Sequence, residues 1–256
     1  MRYVVWGRIV LWEGASLWAF DVPPAAQIRR STDFHSHHAI QLTIAVDGRF
    51  TFRIGSEVVA GPAVLIAPDV SHAYEPHGRN AMIFIDPEST LGVAVLGNLA
   101  GRDFARLGAE TFADIAAKLS CIWKETRPED ATLIELGRAL ATRLAGKEVG
   151  TRAINKRIAR VLERLSNDLD MPMDVSKAAD IACLSESRFS HLFVAEVGLP
   201  FRTYLLWRRL MVAVNGIASG SSLTSAAHDA GFADSAHFSR TFLRMFGVPA
   251  SLLQMI

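Results

Sequence analysis

The sequence predicts a two-domain α+β protein. An antiparallel β-barrel with a helical pair comes first, and an all-α domain with two helix-turn-helix motifs follows. Three observations lead there. Turn signals recur at close intervals through residues 1 to about 86, between short runs that alternate apolar and polar. From about 88 to 146 the apolar spacing changes to threes and fours. Near the C-terminus a helix-and-turn pattern occurs twice, with an offset of 49 residues.

At 256 residues the chain is long enough for two cores, and half of it is hydrophobic. The net charge is only +1, so whole-chain composition does not announce a nucleic-acid partner. Beyond residue 150 there are 12 Lys and Arg against 9 Asp and Glu, whereas the first 150 residues have 15 against 17. A DNA partner therefore rests on the motif, with charge as mild support. Cys121 and Cys183 stand far apart in no metal or redox spacing, and are expected as small buried or turn residues in a reducing compartment. Arg2, Arg8 and Glu13 interrupt the apolar runs Tyr3–Trp6 and Ile9–Trp12. Neither a signal peptide nor a membrane span is expected, and the location is expected to be cytoplasmic.

In the first domain, Ile40, Leu42, Ile44 and Val46 alternate with Gln41, Thr43 and Ala45, the period of a half-buried strand. Asp47-Gly48 reads as a hairpin turn, after which Phe50, Phe52 and Ile54 resume the alternation. Gly55 opens another turn, Val58-Val59 another strand, and Gly61-Pro62 a further turn. Val64–Ile66 and Ala81–Ile85 complete the set. Many short strands argue for an antiparallel barrel or double-sheet jelly roll, whose interior can hold a ligand. Phe112, Ile115, Leu119 and Ile122, then Leu133, Leu136, Leu140 and Leu144, mark two helices separated at Arg127–Asp130. They are expected as an antiparallel pair packed on the barrel and available as a dimer interface. Gly146–Gly150 is the candidate linker between a domain over 1–146 and one over 152–256.

The second domain opens with a helix from Ile154 to Leu165, ended by Asn167-Asp168 and Met171-Pro172. The repeat follows. Ser185 and Asp234 can each cap a helix, and Phe189/Phe193 and Phe238/Phe242 form its apolar face at i and i+4. Gly198 and Gly247 then close it, with Pro200 and Pro249 two residues on. Short helices with small residues precede each copy, at Val175–Leu184 and Leu223–Ala233. Helix, turn and helix make the geometry whose second helix enters a major groove. From Pro200 to Ile217 one helix of about 17 residues spans roughly 25 Å, enough to place two readers in successive grooves roughly 34 Å apart.

Residues 152–250 resemble the AraC family of bacterial transcription regulators. The resemblance lies in Gly231-Phe232, Phe238-Ser239-Arg240, Phe242 and Gly247-Val-Pro249, and in Tyr204-Leu with Arg208-Arg209-Leu210 on the linking helix. Two departures stand out: His191 replaces the usual Arg of the first reader, and Ser251-Leu252-Leu253 replaces the usual Tyr-Arg after the last Pro. The resemblance implies base-facing positions at Ser187, Arg188, Ser190 and His191 in the first half, and at Ser235, Ala236, Ser239 and Arg240 in the second. Arg240 and then Arg188 are the expected base contacts, because Arg pairs bidentately with guanine. Arg202, Arg208, Arg209 and Arg244 are expected on phosphates or on nothing. The implied partners are double-stranded DNA, a small-molecule effector, a second copy of the chain and, for an activator, RNA polymerase.

His35-Ser-His37, Gln41 and Gly48 are similar in spacing to the first motif of the cupins, and Pro68–His72 resembles the second. Gln41 stands where metal cupins carry Glu. Three imidazoles and an amide could bind a divalent metal. The expected role is instead a polar pocket lining, with no resident metal or other cofactor and no catalytic residues. Thr43 shares the parity of His37 and Gln41, so His37, Gln41, Thr43, His72 and Tyr74 are the expected effector site. His38 and His77 are expected at the surface. An alternative is a metal-dependent cupin enzyme fused to a DNA-binding module; Gln41, and the lack of another acid/base pair near the histidines, argue against it.

Overall fold

The computed structural model describes residues 6–22, 31–125, 129–146, 154–167 and 173–253. Its N-terminal part is one seven-stranded antiparallel sheet. The strands are β1 (Trp6–Trp12), β2 (Ala15–Val22), β3 (Ile40–Ile54), β4 (Glu57–Ala60), β5 (Ala63–Ile66), β6 (His72–Ile85) and β7 (Phe104–Leu107), in the order β1-β2-β6-β3-β5-β7 with β4 on β3. Two long strands, β3 and β6, pair along their whole length and carry the architecture.

That pairing corrects the hairpin expected at Asp47-Gly48, which lie inside β3. The register against β6 shifts there, from Ala45↔Asn80 to Asp47↔Arg79, leaving one extra residue in a β-bulge. Glycine is needed at this point because the two backbones nearly touch: a Cβ on Gly48 would stand 2.2 Å from the His77 carbonyl oxygen. The extra residue also inverts the alternation. Ile40, Leu42 and Ile44 face one side of the sheet, while Phe50, Phe52 and Ile54 face the other.

The first of those sides is covered by helices. α1 (Thr90–Leu99), capped by the Ser89 hydroxyl, lies with the expected pair α2 (Ala113–Glu125) and α3 (Asp130–Ala145). Leu17, Leu42, Ile83 and Ile85 pack there with Ile115, Leu119, Leu133 and Leu140. Within the span expected to be helical, β7 is a strand; it covers the edge that β5 would otherwise leave unpaired. Arg127-Pro128, the linker residues after Gly146, and Asp168 with Met171-Pro172 lie outside the described residues.

The C-terminal part is helical: α4 (Lys156–Asn167), α5 (Val175–Ala182), α6 (Glu186–Val197), α7 (Phe201–Ala218), α8 (Leu223–Asp229) and α9 (Ser235–Phe246). The helix caps fall where the repeat places them. Ser185 Oγ accepts from the Arg188 amide, and Asp234 Oδ1 accepts from the His237 amide at 2.6 Å. Gly198 and Gly247 both take the left-handed conformation. The two motifs differ in where they bury their apolar faces. Phe189 and Phe193 of α6 share a separate core with Ile158, Val161, Phe201 and Tyr204. Phe238, Phe242 and Phe246 of α9 join Trp207 and Leu210 in a core continuous with Trp18, Phe52 and Phe84 on the open side of the sheet. Among the described residues no helix is long and apolar enough to cross a membrane.

Candidate functional site

Two surfaces emerge, one outside and one inside. The outer one is the pair of reader helices. Burying Phe189 and Phe193 turns Ser187, Arg188 and His191 of α6 to solvent, with Ser190 half-buried. Burying Phe238 and Phe242 does the same for Ala236 and Arg240 of α9, with Ser235 and Ser239 half-buried. All eight expected reader positions therefore lie off the core. Val194 and Leu243, equivalent in the repeat, are also exposed, at 42% and 40%. Between the motifs, α7 has 18 residues, about 27 Å of helix.

Arg208 departs from expectation. It lies against Asp86 (3.9 Å) and the Leu165 carbonyl (3.5 Å), so its charge is directed into the protein.

The inner site gathers all five expected effector residues. Because they precede the bulge, Gln41 and Thr43 point to the side opposite Leu42, beneath the C-terminal helices. His37 (3% exposed), Gln41 (1%), Thr43 (0%), His72 (1%) and Tyr74 (4%) are all buried. His37 Nδ1 lies 3.1 Å from the Ala39 carbonyl and Nε2 lies 2.9 Å from Gln41 Oε1. Gln41 donates in turn to Thr43 Oγ1 at 3.0 Å. His35 joins them, its ring centroid 4.4 Å from that of His72. Tyr74 stands one ring further, beyond Phe52. Among the described residues, His72 Nε2 and the Tyr74 hydroxyl are buried without a hydrogen-bond partner.

The trio is held neutral. Burial, then the neighbouring His35, lowers His37 to about 4. Burial, then His37 and His35, lowers His72 to about 2. His35 is lowered by burial as well. Each of the three offers a ring nitrogen within 4.8 Å of the others, a spacing a metal could use. Both ring nitrogens of His37 already face oxygen partners, so a metal ligated by His37 would have to break the His37–Gln41 contact.

The residues that close the site were not found from the sequence. Trp18 and Phe84 come from β2 and β6, Trp207 from α7, and Phe246 from the end of α9. One signal was present: the position equivalent to Phe246 in the first half is Val197, so the second helix carries a third Phe at i+8. An open groove of about 440 Å³ lies elsewhere, between α2 and α3, beside Lys118, Cys121 and Glu135.

His38 is a further correction, being buried and not at the surface. Its Nε2 lies 3.2 Å from Glu88 Oε2 and its Nδ1 lies 3.6 Å from Asp69 Oδ2. Burial opposes its charge, but the carboxylates of Asp69 and Glu88 outweigh it and raise His38 to about 9. Beside it, burial and then the Glu88 charge push Asp86 up to about 6, against the pull of Arg208. Asp86 also faces the Trp207 indole N–H at 3.5 Å, so this half-buried polar group joins the end of β6 to α7. Cys121 is exposed, and Cys183 is an exposed left-handed residue closing α5.

Comparison with known proteins agrees with this geometry. Residues 178–254 match the family model described as a helix-turn-helix domain. The chain is 21% identical over 238 residues to the probable transcriptional regulator LumQ of Photobacterium leiognathi, covering 88% of this chain and 93% of that protein. Among solved structures it is similar to ToxT from Vibrio cholerae O395, with 11% identity, a TM-score of 0.60, and coverage of 94% of this chain and 96% of that one. It is similar as well to unsaturated fatty acid-bound ToxT from Vibrio cholerae strain SCE256, at 9% identity, a TM-score of 0.56 and 92% coverage of both chains. These likenesses show a shared two-domain α+β fold.

Proposed function

We propose that the chain is a member of the AraC family of DNA-binding regulators, a sequence-specific transcription regulator controlled by a small-molecule effector. The effector site is the buried group His37, Gln41, Thr43, His72 and Tyr74. The DNA contacts are Arg240 and Arg188 first, then Ser187, Ser190, His191, Ser235, Ala236 and Ser239. Residues 1–146 form the sensing domain and residues 152–256 the reader. A homodimer in the cytoplasm, acting on double-stranded DNA and through RNA polymerase, completes the reading.

One observation carries it. His37 lies in the inner site, and its ring centroid is 5.9 Å from that of Phe246, the last residue of the second reader helix. A molecule that rearranges this site therefore touches a DNA-reading element directly, with no long pathway required. The aromatic surroundings suit an apolar ligand, as small-molecule sites generally do. Structures of ToxT bound to an unsaturated fatty acid, and to (E)-4-(8-methylnaphthalen-1-yl)but-3-enoic acid, support a ligand of that kind.

The spacing of His35, His37 and His72 favours a second reading, a metal-dependent enzyme joined to the reader. Bound stoichiometric metal with turnover would support it.

The test of the first reading starts from the selected operator of the full chain. Small apolar molecules that raise the melting temperature are added to an operator titration at fixed salt. At least one should change operator affinity fivefold or more, since a ligand shifts an equilibrium only by its differential affinity. If every stabilising molecule leaves the titration unchanged, effector control is wrong.

A further inference from the structure

Position 246 is where the two halves of the repeat part company. Its first-half equivalent, Val197, closes the separate core of α6. Phe246 keeps Phe242 of its own helix as a neighbour, at 4.7 Å, but reaches beyond the motif to residues of the sheet and α7. Its ring centroid lies 4.9 Å from Trp18, 5.6 Å from Phe84, 5.9 Å from His37 and 6.1 Å from Trp207.

The next residue fixes this arrangement. The Gly247 carbonyl accepts a hydrogen bond from the Asp33 amide at 3.0 Å. Gly247 is left-handed, with φ +66, and a Cβ there would stand 2.4 Å from the Asp33 carbonyl oxygen and 2.6 Å from His35 Nδ1. At Gly198, its equivalent with φ +93, a Cβ would meet nothing within 4 Å. Glycine in the first half serves the turn alone. In the second half it also permits contact between the turn and the segment 32–35 that leads into the histidines.

Beside His37 stands an acceptor that this packing leaves unused. His72 Nδ1 faces the Val70 carbonyl at 2.9 Å, so Nδ1 carries the proton and the buried Nε2 presents a lone pair.

We propose that Phe246 is a built-in occupant of the mouth above the histidine trio, and that an apolar ligand with one O–H donor enters by displacing it, undocking the second reader from the sheet. The ligand class follows from the lining: aromatic walls, neutral imidazoles, and one acceptor awaiting a donor. An alcohol, a phenol or a protonated carboxylic acid meets it. The competition follows from packing density, because one volume between Trp18 and Phe84 cannot hold two rings. Ligand binding and docking are then linked reciprocally: whatever loosens Phe246 tightens the ligand by the same factor. This deepens the effector reading and rests on it.

The experiment uses the full chain, phenol as probe, and the matched variants Gly247→Asn and Gly198→Asn. Asn tolerates the left-handed cap, so both variants keep their helix ends. Only Gly247→Asn drives a Cβ into the Asp33–His35 segment. Phenol should bind Gly247→Asn at least fivefold more tightly than it binds wild type or Gly198→Asn. Amide exchange at Asp33 and through residues 243–247 should be at least tenfold faster in Gly247→Asn alone, and saturating phenol should speed the same amides in wild type. Phe246→Val, which gives the second half the residue of the first, should also tighten phenol and serves if Gly247→Asn misfolds. Equal phenol affinity across the set, no phenol binding to the opened variants, or phenol that slows those amides overturns the proposal. The effector reading fails separately, on the operator titration, whichever way phenol behaves.

Discussion

His38 Nε2 and Glu88 Oε2 lie 3.2 Å apart with side chains only 4% and 8% exposed. The pair sits one residue from His37 on one side and two from Asp86 on the other, between the inner site and the α7 anchor at Trp207. A charged histidine here is worth more to the folded state than to the unfolded chain.

That difference gives the protein an alkaline limb. His38 is raised to about 9 from an ordinary 6.5, so its contribution is complete below pH 6.5 and is lost as pH rises through about 9. Urea denaturation at a series of pH values should show stability falling over that window, by up to about 3 kcal/mol. His38→Gln should remove the slope. Asp86, also raised, loses its contribution between about 4 and about 6, so it does not overlap. A profile as steep in the variant as in wild type from pH 6.5 to 9 would rule the pair out as its source.

An acid limb comes from the trio. His37 and His72 are lowered to about 4 and about 2, so the unfolded chain takes protons first as pH falls below 6.5. Stability should therefore decline from pH 6.5 toward 4, with Asp86 opposing the three imidazoles between about 6 and about 4. His72→Phe should flatten this decline relative to wild type. No difference in slope between the two would mean the buried imidazoles are not the cause.

The trio should hold no stoichiometric metal. Protein purified without a tag should show well under one equivalent by elemental analysis. One full equivalent that disappears in His37→Ala would revive the metal-enzyme reading.

The two readers should contribute unequally, because Arg240 corresponds to His191 in the repeat. Arg offers a planar fork of donors that matches a guanine edge bidentately, and an imidazole has no such fork. Arg240→Ala should cost about 1–3 kcal/mol of operator binding and relax specificity at its base. His191→Ala should cost less than Arg240→Ala in the same titration at fixed salt. Equal losses for the two variants would show equivalent halves.

The repeat, its caps and its outward residues were legible because they are local. A serine or aspartate before a helix, two Phe at i and i+4, and a glycine at the end constrain their own neighbourhood wherever the helix is placed. The same holds for the parity that put Gln41 and Thr43 on one side of β3. Asp47-Gly48 misled for a related reason. A glycine needed for close approach of a partner strand looks in sequence like one needed for a turn, and only the β6 backbone, 2.2 Å from where a Cβ on Gly48 would stand, tells them apart.

By itself, then, the sequence determined the two-part α+β organisation, the double helix-turn-helix and which residues of its second helices lie off the core; the resemblance to the cupin motifs implied the grouping of the inner residues. The first three follow from periodicity and short-range hydrogen bonding along the chain. Only the tertiary structure decided that His38 is buried against Glu88, that Arg208 turns inward to Asp86, and that Phe246 covers His37. Those outcomes depend on which apolar face has no cover of its own. The open side of the sheet, with Trp18, Phe52 and Phe84, must be removed from water by something, and no local pattern names the helix that does it.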